Sequence, residues 1–178
     1  MPHIHTNPGQ HDLTVTAFIV RTDTSEPQVL LHMHKKLKVL LPVGGHVELN
    51  ETPWQAIAHE LEEESGYKLE QLDVLQPKSR IRSLKSVDLH PYPLAINTHP
   101  IPDNHFHTDI EYAFVAHGDP SGIIGEGESA DMRWVTRAEL ETLDGMDVVI
   151  DTKQAYLFIL DEALNEWEHI PAKLQLDL

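Results

Sequence analysis

Leu13 to Val20 (LTVTAFIV) is rich in β-branched residues and predicts a strand. Gln28 to His34 (QVLLHMH) predicts a second, with the turn-forming Thr22 to Pro27 between them. Val39 to Leu41 is a short apolar run stopped by Pro42 and the Gly44-Gly45 pair, which reads as a turn. The period then changes. Trp54, Ile57, Ala58 and Leu61 recur at helical spacing and form one apolar stripe, so Thr52 to Tyr67 predicts a helix. Both its ends are marked: Thr52 caps it, Pro53 suits the first helical position, and Gln55 completes a capping box. Gly66 stands where a left-handed C-terminal cap belongs.

Residues 76–104 carry Pro77, Pro91, Pro93, Pro100 and Pro102 and read as a long loop or insertion with at most short strand pieces. His107 to Ala116 (HTDIEYAFVA) predicts another strand, Gly118 to Gly127 a glycine-rich acidic loop, and Met132 to Val135 a short strand. Thr136 caps a helix over Arg137 to Leu143. Thr152 to Trp167 predicts a last amphipathic helix with Ala155, Phe158, Ile159 and Ala163 on one side. Strands and helices are mixed without a regular alternation, which implies an α/β protein with a helix-flanked mixed sheet.

Composition narrows the function classes. A chain of 178 residues suits a single domain over 1–178, with residues 1–12 as a polar N-terminal extension. There is no cysteine, hence no disulfide and no thiolate site. No run approaches the roughly 18 apolar residues that span a bilayer, and no signal peptide is apparent, so a soluble cytoplasmic protein without membrane contact is expected. The net charge of -16 argues against binding a DNA or RNA duplex. It is compatible with small phosphorylated ligands when a divalent cation stands between the anions.

The helix at Thr52 to Tyr67 carries an electrostatic oddity. Glu60, Glu63 and Glu64 fall within an arc of about 100° opposite the apolar stripe. Like charges at these spacings cost about 0.2–0.5 kcal/mol per pair. They also crowd the negative end of the helix dipole, where each anion costs about 0.3–1 kcal/mol. A solvated acidic face would carry both costs, and a hard divalent cation removes them.

The surrounding segment, GGHVELNETPWQAIAHELEEESGY, resembles the Nudix box. Gly45, Glu51, Glu60, Leu61, Glu63, Glu64, Gly66 and Tyr67 match that pattern at the required spacing, across 23 of 178 residues. His59 departs from it, standing where the family usually has arginine; it can pair with Glu63 one turn on. The resemblance implies a Nudix-like α/β/α sandwich with a mixed β-sheet and an enzyme that cleaves a diphosphate linkage by attack of water on phosphorus. It implies Mg²⁺, or Mn²⁺ in its place, held by Glu60, Glu63, Glu64 and the Gly44 carbonyl, with one glutamate as general base. Glu51 and His59 would support these ligands. Glu128, in the acidic loop before Asp131-Met-Arg-Trp-Val, is the expected additional catalytic carboxylate. Substrates in view are a nucleoside triphosphate, an ADP-sugar or a dinucleoside polyphosphate, among which the box does not choose.

Thirteen histidines include three His-x-His pairs, His3/His5, His32/His34 and His105/His107. On a strand such a pair shares a face and is spaced to chelate a metal. Asp109 and Glu111 extend the face of His105/His107 as a polar stripe, either lining a substrate cleft or facing solvent. His46, His105 and His107 are the expected substrate-binding residues. Lys35, Lys36 and Lys38, with Arg80 and Arg82, are candidates for a distal phosphate. Two other classes stay open: a catalytically inactive nucleotide-binding module with the same fold, and a histidine-based cupin. Intact Glu60, Glu63 and Glu64 argue against the first and the well-capped helix against the second. Edge strands and the loop 76–104 leave room for a homodimer that nothing in the sequence requires.

Overall fold

The computed structural model describes Asn7, residues 9–101 and residues 105–175. A nine-stranded mixed sheet is built around one central parallel pair. Strand β1 (His11–Arg21) runs beside β7 (His105–Ala116) in unbroken register from His11 opposite Phe106 to Arg21 opposite Ala116. The middle of β1 is buried on both faces, which is why its sequence is a near-continuous β-branched and aromatic run.

The outer edges of this pair are each shared by two strands. β2 (Gln28–Met33) pairs with the C-terminal end of β1, and β4 (Val43–His46) pairs with its N-terminal half. Across the sheet, β5 (Leu72–Gln76) takes the C-terminal end of β7 and β6 (Ala95–Ile101) takes its N-terminal half. β3 (Leu40–Leu41) and β8 (Met132–Thr136) extend the sheet beyond β2, and β9 (Glu168–Pro171) beyond β5.

Helices cover both faces. Helix α1 (Pro53–Glu60) lays Trp54, Ile57 and the following Leu61 against Val15, Ala17, Tyr112 and Phe114. On the other face α2 (Arg137–Thr142), α3 (Ile150–Phe158) and the π turn that follows it (Ile159–Ala163) put Leu140, Tyr156, Ile159 and Ala163 against Phe18, Val20, Ala113 and Val115. The Tyr156 hydroxyl donates to the Leu30 carbonyl inside this second layer. The helix-flanked mixed sheet is thus the α/β architecture expected. Among the described residues no helix is long and apolar enough to cross a membrane.

Several local expectations are corrected. Gly44 and Gly45 lie within β4 rather than a turn. A Cβ on Gly44 would stand 2.3 Å from the Val15 carbonyl oxygen, so its glycine permits close approach of two strands. Residues 95–101, expected as loop with at most short strand pieces, form the seven-residue β6; Pro100 is tolerated there because β6 is an exposed edge strand, paired among the described residues with β7 alone. Gln76, at the start of the expected loop, belongs to β5. His11 and Asp12, assigned to the N-terminal extension, open β1, and Asp12 is buried. Phe158, expected to face inward, is exposed: the buried face runs through Tyr156, Ile159, Leu160 and Ala163, and Phe158 lies off it, two residues (about 200°) on from Tyr156.

Candidate active site

Helix α1 is held in place by the expected cap. Thr52 accepts from the Gln55 N–H and the Gln55 side chain accepts from the Thr52 N–H, at 3.3 and 2.8 Å. The helix then widens into a π turn over Leu61–Ser65 and stops at Gly66, whose φ of 74° is the left-handed cap. Such wide turns gather at functional sites, and this one carries the glutamates.

The three carboxylates take different environments. Glu64 is largely buried in the gap where β2 and β4 part from β1, accepting from the Gly44 N–H at 2.9 Å, with His32 Nε2 3.9 Å away. Glu60 packs flat against Gly45, where a Cβ would stand 2.1 Å from Glu60 Oε1. Glu63 is half exposed, with its Oε1 3.1 Å from His59 Nε2. His59 Nδ1 lies 3.9 Å from Glu51 Oε2, and Glu51 itself accepts from the Glu48 N–H at 2.9 Å. The histidine at the arginine position therefore stands between Glu51 and Glu63.

The loop bearing Glu128 docks on the end of this helix, with the Gly125 N–H donating to the Glu63 carbonyl at 2.7 Å and the Glu128 N–H to the Gly125 carbonyl at 3.1 Å. The Lys35 ammonium donates to the Gly127 carbonyl in the same loop. Burial, then the neighbouring Glu63, pushes Glu60 up to about 7, with His59 acting in the opposite sense. Burial pushes Glu64 up to about 8 against the pull of the Gly44 N–H, and Glu60 and Glu128 add to the rise. Among the described residues neither Lys nor Arg pairs with Glu60, Glu63 or Glu64. Crowded, uncompensated oxygen donors of this kind suit a hard divalent cation, so the donor set fits Mg²⁺ or Mn²⁺.

Around the edge of β4 the opposite face of the half-sheet is polar. The register brings together Asp12, Thr14 and Thr16 of β1, His46 of β4, His105, His107, Asp109 and Glu111 of β7, and Asn97 and His99 of β6. Asp109 is buried and accepts from Thr14 at 2.9 Å and Thr16 at 2.7 Å. His46 and His107 rings meet edge to face at 4.8 Å, and His105 and His99 lie 5.4 and 5.5 Å from His107. Burial, with these three histidines, pulls His107 down to about 4, so it is neutral at physiological pH. The stripe read from the sequence is thus a recessed polar floor, and it gains Asp12, Asn97 and His99, which sequence reasoning missed because it took their segments for extension and loop.

Other candidates resolve differently. His34 lies beyond the end of β2, accepts the Leu37 N–H at Nδ1, and has its ring centroid 6.4 Å from that of His32. Arg80 and Arg82 are both bound to Glu168, at 2.6 and 2.9 Å. His3 and His5 lie outside the described residues. A surface hollow lined by Leu69, Gln71, Asp73, His117 and Lys173 lies at the β5–β9 edge and includes none of the glutamates above.

A mixed sheet between helices, with a glycine-cradled glutamate cluster at the end of a capped helix, defines a Nudix-type hydrolase. The NUDIX domain model matches residues 11–154, and the chain belongs to that family. A NUDIX-family hydrolase from Clostridium perfringens is 30% identical over 88% of this chain and 98% of its own, with a TM-score of 0.69. An Ap4A hydrolase from C. elegans and a NUDIX hydrolase from Nitrosomonas europaea each share 16% identity and the fold. Their TM-scores are 0.59, and they cover 84% and 92% of this chain and 98% and 94% of their own. A comparison with curated proteins gives no match.

Proposed function

We propose that the protein hydrolyses the diphosphate linkage of a nucleoside diphosphate derivative in a divalent-metal-dependent reaction. The observation that carries this reading is the buried pair Glu60 and Glu64, against Gly44 and Gly45, with neither Lys nor Arg pairing with them among the described residues. Glu60, Glu63, Glu64 and the Gly44 carbonyl would hold Mg²⁺ or Mn²⁺. A bound divalent ion supplies polarisation of the phosphoryl oxygens and offsets the charge that develops on them.

The chain's own groups would do the rest. A carboxylate within reach of the attacking water accepts its proton. Glu60, raised toward neutrality, and Glu63, open to solvent and steadied by His59, are the two candidates on the helix, and Glu128 is the candidate on the loop. Glu51 holds His59 from behind. The recessed floor with His46, His105 and His107 would receive the part of the substrate beyond the diphosphate, excluding water while offering imidazole donors and acceptors.

A panel of nucleoside triphosphates, ADP-sugars and dinucleoside polyphosphates, assayed with Mg²⁺ and with chelator and resolved by product, tests this. Metal-stimulated release of two phosphorylated products from at least one member is expected. Glu63→Gln and Glu64→Gln should each lower turnover by roughly 10²–10⁴-fold in folded protein. Absence of metal-stimulated turnover across the panel would instead indicate a binding module.

A further inference from the structure

The polar floor contains a second cluster of metal-ligating groups, whose chemistry differs from that of the glutamates. Asp12, His105 and His107 each offer one ligand atom, and these atoms lie within 4.8 Å of one another. We propose that these three residues bind a divalent transition-metal ion, Zn²⁺ being the reference case, at a site separate from the glutamate cluster.

Geometry supports the assignment first. Three atoms no more than 4.8 Å apart always have a point within about 2.8 Å of all of them. Zinc takes nitrogen and carboxylate oxygen at about 2.0–2.2 Å, so small side-chain rotations bring all three into contact with one ion. His105 Nε2 and Asp12 Oδ2 are 3.8 Å apart, too long for a hydrogen bond, yet close to the spacing of two ligands on a common ion.

Burial supports it next. Asp12 is 3% and His105 5% exposed, and His105 Nε2 is fully buried without a hydrogen-bond partner among the described residues. A buried imidazole nitrogen without a partner costs stability unless something meets it. The donor set is also diagnostic. Two imidazoles and one carboxylate suit Zn²⁺, Co²⁺ or Fe²⁺ and leave positions for water or a ligand, whereas Mg²⁺ favours an all-oxygen set. His46, 4.0 Å from Asp12 Oδ2, flanks the carboxylate from β4. His107, less buried than the other two, sits on the open side, so a bound ion would keep its free positions toward the cleft.

The site does not depend on the hydrolytic reading of the glutamate cluster, and its test uses binding rather than turnover. Untagged protein is stripped with chelator and titrated with Zn²⁺ by calorimetry, and with Co²⁺ by d–d absorption, in an excess of Mg²⁺ that occupies the oxygen site. One equivalent that resists Mg²⁺ is expected. It should weaken at least 100-fold in Asp12→Asn, His105→Gln and His107→Gln, since loss of a mere supporting partner already costs 10–100-fold. Glu63→Gln and the His3→Gln/His5→Gln double variant should retain it. His107→Gln decides the matter if the variants at the buried Asp12 and His105 do not fold. The assignment is overturned if no Mg²⁺-resistant equivalent binds, if it survives in folded His107→Gln, or if it is lost in Glu63→Gln or with His3 and His5.

Discussion

Replacing Glu60 and Glu64 by glutamine should flatten the pH dependence of stability of the metal-free protein. In the folded chain Glu60 titrates at about 7 and Glu64 at about 8, against 4.5 for an unperturbed glutamate. The folded form therefore holds protons that the unfolded chain has released, and the free energy of unfolding falls as pH rises through this range. Between pH 6.5 and pH 8 the loss amounts to about 1.6 kcal/mol from Glu64 and about 0.8 kcal/mol from Glu60. For a domain of this size each kcal/mol moves the melting temperature by about 2–4 °C. Wild type should therefore lose roughly 5–10 °C more than the double variant across the interval, with both in chelator and followed by scanning calorimetry. His32, His34 and His107, depressed by burial, act in the opposite sense, and Glu111, raised to about 7, in the same sense. All four are present in both proteins and cancel in the difference. Excess Mg²⁺ should remove the extra loss by taking the place of the protons. Equal pH dependence in wild type and double variant would refute the claim that these two carboxylates are jointly desolvated.

Three further outcomes can be checked separately. Gly45→Ala places a methyl group 2.1 Å from Glu60 Oε1, so turnover measured on any substrate found in the panel should fall by at least about tenfold as that carboxylate is displaced. His59→Arg should preserve or raise that turnover, because a guanidinium spans the same gap between Glu51 and Glu63 with a permanent charge; a large loss would give the imidazole a role of its own. Tyr156→Phe leaves the buried Leu30 carbonyl without its donor and should cost about 1–3 kcal/mol in denaturant unfolding, with turnover unchanged.

Much of this organisation was legible in the sequence where a local pattern and its tertiary use agree. β1 and β7 are buried on both faces along their C-terminal halves, so composition alone marks them. Helix α1 announces both ends because Thr52, Gln55 and Gly66 act through their own backbone neighbours. His59 and Glu63 are one turn apart, and their pairing follows from helical spacing. Legibility ends where the partner is distant in the chain. Gly44 and Gly45 look like a turn, and only the approach of Val15 and Glu60 shows that they are strand residues cleared of side chains. β6 is polar, exposed and interrupted by Pro100, so nothing in its own residues distinguishes it from a loop until β7 pairs with it. Asp12 reads as part of a polar terminus, although its strand carries it under His105 and His46.

The π turn at Leu61–Ser65 also bears on which changes this chain tolerates. A helix containing one wide turn has, in effect, one residue more than an α-helix needs to join its two ends. Removing one of the five would close the segment to a regular helix with its ends in place, so the glutamates inside the turn would shift relative to Glu60 while Trp54 and Ile57 stayed put. Gly66, whose carbonyl receives the Gly122 N–H at 2.9 Å, would keep that tie to the acidic loop while Glu63 and Glu64 moved. Glu62, exposed and paired with Lys68, would then be replaceable by almost any residue yet not removable. At that position the chain length matters more than the side chain, and a comparison of relatives should find substitutions there and no gaps.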